Sequence, residues 1–162
     1  MNQMDHQELA DNAMKALQKD IDFWKEVPLG ARPIFEELVA AIPDVLGDDL
    51  LNSPANVAGI ARAKVKVIDH ALETDFASKM LEAMGMDSEM IEMIEHAMNS
   101  MAGMLNSLLE QSLEMLKKVG GSEERVLAKM GLNEELIEKC LRGGLTVGEL
   151  FRDHPAIIIQ NT

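Results

Sequence analysis

The stretch from Asp87 to Val119 reads DSEMIEMIEHAMNSMAGMLNSLLEQSLEMLKKV, with no Pro anywhere in it and an Asp placed to cap its first turn. One continuous helix over this stretch is about 50 Å long at about 1.5 Å per residue. The usual size scaling gives the whole chain a radius of gyration of only about 15 Å, so such a helix crosses the molecule or protrudes from it. Ile91, Ile94, Met98, Met101, Leu105, Leu108, Ser112, Met115 and Val119 follow an alternating four- and three-residue spacing. Met90, Ala97, Met104, Leu109, Leu113 and Leu116 widen that stripe to roughly 200° of the helix circumference, about twice what a surface helix needs. A single neighbouring helix does not cover such an arc. Glu92, His96, Asn99, Ser100, Gly103, Glu110, Glu114 and Lys118 form the narrow strip suited to water.

Helix grammar continues on both sides. Upstream, Leu9, Ala13, Leu17, Ile21 and Trp24 share one face of a helix expected over about 5–25, opened by Asp5 with Glu8 three residues later. Pro28 and Gly30 end it. Pro33 starts a short helix that Pro43 is expected to stop, leaving 44–52 as a turn. Ser53 and Pro54 then open a third helix carrying Val57, Ile60, Ala61, Ile68, Ala71 and Leu72. Its stripe runs into Asp75, so a break is expected near Thr74 before Ala77, Met80, Leu81 and Met84 resume the pattern up to Gly85.

Downstream, Gly120 and Gly121 break the chain, and three short helices follow over 122–130, 133–142 and 146–154. Gly131 and Gly143 serve as stops, and Thr146 with Glu149 makes a capping box. Leu81 to Glu92 resembles Leu127 to Glu138, a repeat of helix, Gly stop, cap and helix. The run Ile157-Ile158-Ile159 near the end is the only segment with strand character.

The fold class that follows is all-α, an elongated helical bundle or helical hairpin built on the helix at about 87–119 with short C-terminal helices. Residues 1–119 form the bundle and 120–162 a small helical lobe packed on it, together one structural domain. A chain of 162 residues with 47% hydrophobic and 27% charged residues can build a sizeable core.

Twenty-eight Asp and Glu against 15 Lys and Arg leave a net charge of −13, which repels phosphate backbones and anionic membranes. Arg62, Lys64 and Lys66 make the one basic cluster, followed at once by Asp69, Glu73 and Asp75, and read as an internal complement to the acid. The segment from Gly144 to Phe151 could open a DNA-reading helix pair, but Pro155 occupies the turn and the last seven residues carry no Arg or Lys. Neither nucleic acid nor membrane is therefore expected as a partner. No stretch approaches the roughly 18 apolar residues of a membrane span, and the lone Cys140 has no internal disulfide partner, so a cytoplasmic setting is expected.

Catalytic signatures are missing. The chain has no phosphate-cradling Gly-rich loop, no His-Glu-x-x-His, no Cys-x-x-Cys and no nucleophile elbow, and none of its His follows a Glu by three residues. No enzyme activity, cofactor or metal is expected. Eight of the thirteen Met lie between Met80 and Met104. Three thioethers at Met98, Met101 and Met104, with His96 or Cys140, could in principle hold a soft metal, but ordinary core is the plainer reading of most of this cluster.

The best functional expectation is a non-enzymatic acidic interaction or regulatory module that self-associates, most simply as a two-fold dimer, with another protein as the other partner class. The seam expected is Ile94, Met98, Met101, Met104, Leu105 and Leu108. Two alternatives come from other classes: a sensor holding a small apolar ligand in a Met-lined interior, and an inhibitor whose acidic array mimics nucleic acid.

Overall fold

A computed structural model describes residues 5–25, 27, 29–119 and 123–159; side chains are not described at 72, 77, 99, 101–103, 105, 106, 108, 109, 112, 113 and 115–119. The described chain is all-α: α1 His6–Gln18, α2 Ile21–Lys25, a single 3-10 turn Leu29–Ala31, α3 Arg32–Leu51, α4 Val57–Glu73, α5 Phe76–Ala83, α6 Ser88–Val119, α7 Glu123–Lys129, α8 Glu134–Leu141, α9 Val147–Asp153 and α10 Pro155–Ile159. None of the described helices is long and apolar enough to cross a membrane.

The helix expected over 5–25 is two helices. Asp5 caps α1 by accepting from the Gln7 and Glu8 amides, and Leu9, Ala10, Ala13 and Leu17 form its buried face. The break falls at Asp20, whose carboxylate accepts from the Phe23 amide at 3.1 Å and so starts a second cap. Trp24 folds back to donate its indole N–H to the Leu17 carbonyl at 2.7 Å, an acceptor that also takes the Asp20 amide at 3.0 Å. Phe23, Trp24, Phe35 and Phe76 then stack edge to face, and Arg32 lies 4.8 Å over the Trp24 ring.

Pro43 does not stop α3, which runs on to Leu51. The Pro ring is almost wholly buried, and its packing outweighs the missing amide. The true interruption is at Gly47, with φ 78° and ψ 161°, a left-handed value natural only to Gly. The break expected near Thr74 is present: α4 ends at Glu73, and the Thr74 hydroxyl donates to the His70 carbonyl at 2.8 Å. Both copies of the helix, Gly, cap, helix pattern also fold as read. Gly85 and Gly131 take φ 86° and 98°, and Asp87 and Asn133 accept from the Met90 and Leu136 amides, each at 2.9 Å.

The triple Ile run is helical, not a strand. Pro155 occupies the first position of α10, where its ring suits the helix, and Ala156, Ile157 and Ile158 are buried against α1, α4 and α9. Burial on several sides, rather than an alternating face, accounts for the continuous apolar run.

The buried core is one cluster that includes Leu9 and Leu17 of α1, Val39 and Ile42 of α3, Ile60 of α4, Leu127 of α7, Leu150 and Phe151 of α9 and Ile158 of α10. C-terminal residues thus enter the same core as N-terminal ones. The Ala55 amide donates to the Leu145 carbonyl at 2.8 Å and the Val147 amide to the Ser53 carbonyl at 2.9 Å, tying the two segments by backbone.

Gly59 makes that junction possible, because a Cβ there would lie 2.4 Å from the Pro54 carbonyl oxygen and 3.2 Å from Val147 Cγ2. Gly59→Ala is therefore expected to cost about 2–3 kcal/mol by forcing backbone apart. Urea unfolding measures it, and an unchanged midpoint would mean that α4 does not approach Pro54 this closely.

Candidate interaction surface

α6 stands at the edge of this core. It lies chiefly against α4 and α5, and among described residues it adds no side chain to the buried cluster. Polar contacts between described residues join it to both helices. The Ser78 hydroxyl of α5 donates to the Glu95 carboxylate, and Arg62 of α4 faces Glu110 at 3.9 Å. Ile91, Ile94 and Glu95 are half-buried on this inward side.

At about 100° per residue, Met90, Met93, Ala97 and Met104 fall within an arc of about 60°, centred about 120° away from Ile91, Ile94 and Glu95. All four are exposed, with Met93 at 73%, Met104 at 59% and Met90 at 50%. Met98 falls by angle on the inward side, between Ile94 and Ile91, and is 37% exposed. The wide apolar arc thus divides: part covers α4 and α5, and part faces outward as thioethers. Met84 is exposed as well, so the plain reading of the Met cluster as core fails for Met84, Met90, Met93, Met98 and Met104, while Met80 and Met86 are half-buried.

Of the seam residues expected from sequence, Ile94 is half-buried, Met98 is at the margin and Met104 is well exposed. Met101, Leu105 and Leu108 are on the α6 backbone, and their side chains lie outside the described residues. Ser100, Ser107, Glu89 and Glu114 are exposed along the border of this flank, and Glu92 and Glu110 are exposed farther around the helix. The surface is an apolar, polarizable strip bordered by acid. It offers dispersion contacts to another apolar helix.

The other groups singled out from sequence are occupied structurally. Cys140 is buried in α8, and burial together with the Glu123 charge pushes its thiol up, opposite to what a nucleophile needs. Lys64 is half-buried on α4, and burial pulls its ammonium below the ordinary lysine range. Arg62 meets Glu110, and Lys66 donates to the Leu46 carbonyl at 3.4 Å, so Arg62 and Lys66 complement acceptors within the chain. Among the described residues no group of three or more His, Cys, Asp or Glu could hold a metal ion.

An open cleft of about 740 Å³ lies between the bend of α3 and the start of α4, lined by Gly47, Asp48, Asp49, Asn56, Arg62 and Lys66 among others, with no Met. Beside that bend is a cluster that the sequence reading did not single out. His6 Nδ1 is 2.7 Å from Asp44 Oδ1, and His6 Nε2 is 2.7 Å from Asp48 Oδ1. Asp44 and Asp48 are four residues apart, but an expected helix stop at Pro43 hid their shared face.

No protein family, curated protein or solved structure matches the chain.

Proposed function

We propose that the protein is a non-enzymatic, acidic interaction module that pairs with a second copy of itself through the Met-rich flank of α6. The observation that carries this reading is the outward exposure of Met90, Met93 and Met104 on one flank of one long helix. A continuous helix presents the same stripe on each copy, and a two-fold axis across the stripe lets each copy cover the other. The seam comprises Met90, Met93 and Met104 with Met101 and Leu108, which follow at neighbouring helical angles, while Ile94 and Met98 lie at its edge facing α4 and α5. Unbranched thioether side chains suit a helix-on-helix surface because they repack with little strain. The cytoplasm, where Cys140 remains a thiol, is the proposed setting.

Salt tests the nature of the contact. Two copies carrying −13 each repel one another, and the screening length shortens from about 10 Å at 0.1 M to about 3 Å at 1 M. Association through Met contacts should therefore hold or tighten between about 0.1 and 1 M salt, as read by light scattering. Dissociation at high salt would overturn the apolar seam and favour ion pairs between copies.

A further inference from the structure

The Gly47 bend divides α3 so that Asp44 lies before it and Asp48 after it, and His6 at the first turn of α1 contacts both carboxylates at 2.7 Å. A carboxylate accepts hydrogen bonds and donates none, so both ring nitrogens must carry a proton for the two contacts to coexist. Only the imidazolium does this. A neutral ring has one N–H and turns a lone pair toward the other carboxylate.

We propose that His6 is a proton-operated staple across the Gly47 bend: when charged it holds Asp44 and Asp48 together, and when neutral it releases one of them and lets the bend relax. The bend forms one wall of the cleft, through Leu46, Gly47, Asp48 and Asp49, so the proton on His6 sets the shape of that cleft.

The surroundings leave His6 as the titrating member of this device. From α4, Lys66 reaches the bend by donating to the Leu46 carbonyl at 3.4 Å. Within α1, Asp5 is taken up by the Gln7 and Glu8 amides and Asp11 by the Gln7 side chain. On α9, Glu149 is held in the Thr146 capping box and Arg152 pairs with Asp153 at 3.0 Å. The hydrogen bonds that His6 donates to Asp44 and then to Asp48 raise the imidazole above its ordinary range. The folded protein therefore binds this proton more tightly than the unfolded chain. The staple's contribution to stability is fully present below about pH 6.5 and is lost as pH rises through the raised value.

Histidine-resolved NMR between about pH 5 and 9 tests this, with hydrogen exchange at the Asn52 amide as the reporter of the bend. That amide donates to the Asp48 carbonyl at 3.0 Å, in the turn after Gly47. His6 is expected to titrate above about 6.5 with both nitrogens protonated below its midpoint. Over the same range the Asn52 protection, corrected for intrinsic exchange, should fall roughly two- to fivefold. Asp48→Asn should return the His6 midpoint toward its ordinary value, and His6→Gln should leave Asn52 at the weakly protected level at every pH. A His6 midpoint at or below about 6.5 overturns the staple. So does Asn52 protection that is indifferent to the His6 titration.

Discussion

Phe151→Ala is expected to destabilise the protein by about 3–5 kcal/mol, the usual cost of emptying a buried Phe site. Phe151 is fully buried in α9, within the cluster that also contains Leu17, Ile42 and Ile60. α9 packs on α1, α3, α4 and α10, so the cavity opens between the two ends of the chain and cannot close by the movement of one short helix. For a domain of this size the midpoint of thermal unfolding should fall by about 6–20 °C.

Trp24, the only Trp, sits in the aromatic cluster of α2, α3 and α5 and reports on the N-terminal half. If the C-terminal helices share one cooperative core with the rest, Trp24 fluorescence and far-ultraviolet ellipticity should shift together. A Trp24 transition that stays in place while ellipticity is lost early would show that residues 120–162 unfold as a separate lobe.

The second large effect concerns α6. Met93→Glu combined with Met104→Glu puts two carboxylates on the exposed flank of each copy, and a two-fold dimer would bring four of them into one seam. Like charges brought together at an interface cost several kcal/mol, and every 1.4 kcal/mol is tenfold in affinity. The dissociation constant should therefore rise by at least about a thousandfold, leaving monomer at ordinary working concentrations.

Both Met are well exposed in the single chain, so the stability of the monomer should change by no more than about 0.5 kcal/mol. Leu141→Glu is the matched control, since Leu141 on α8 is also half exposed but lies outside the flank. Equal dissociation by the control would point to net charge rather than to a seam on α6.

Much of the fold was legible because its punctuation is chemical and local. Asp87 before a Pro-free run, Asn133 after Gly131, and Thr146 with Glu149 each act within four residues and work in the structure as their sequence spacing requires. Asp75 on an otherwise apolar stripe foretold the end of α4 for the same reason. What was not legible depends on distant partners. The packing that carries the chain through Pro43, the indole of Trp24 folded onto Leu17, and the burial of Ile157 and Ile158 on three helices are all set by segments remote in sequence.

The exposed flank of α6 was partly legible. Periodicity showed that the apolar arc of α6 is too wide for one neighbour, but not which portion α4 and α5 cover. Only the placement of Ile91, Ile94 and Glu95 inward distinguishes Met93 and Met104 as outward. His6 was out of reach, because its two partners lie 38 and 42 residues away across an unforeseen continuation of α3.

The claim that α6 pairs two copies is tested most directly by sedimentation equilibrium of the unmodified protein over about a hundredfold range of concentration. One chain has a mass of 17.9 kDa. The expected result is a mass approaching twice that value as concentration rises, with nothing added beyond the second chain. A mass of one chain at every concentration would contradict it.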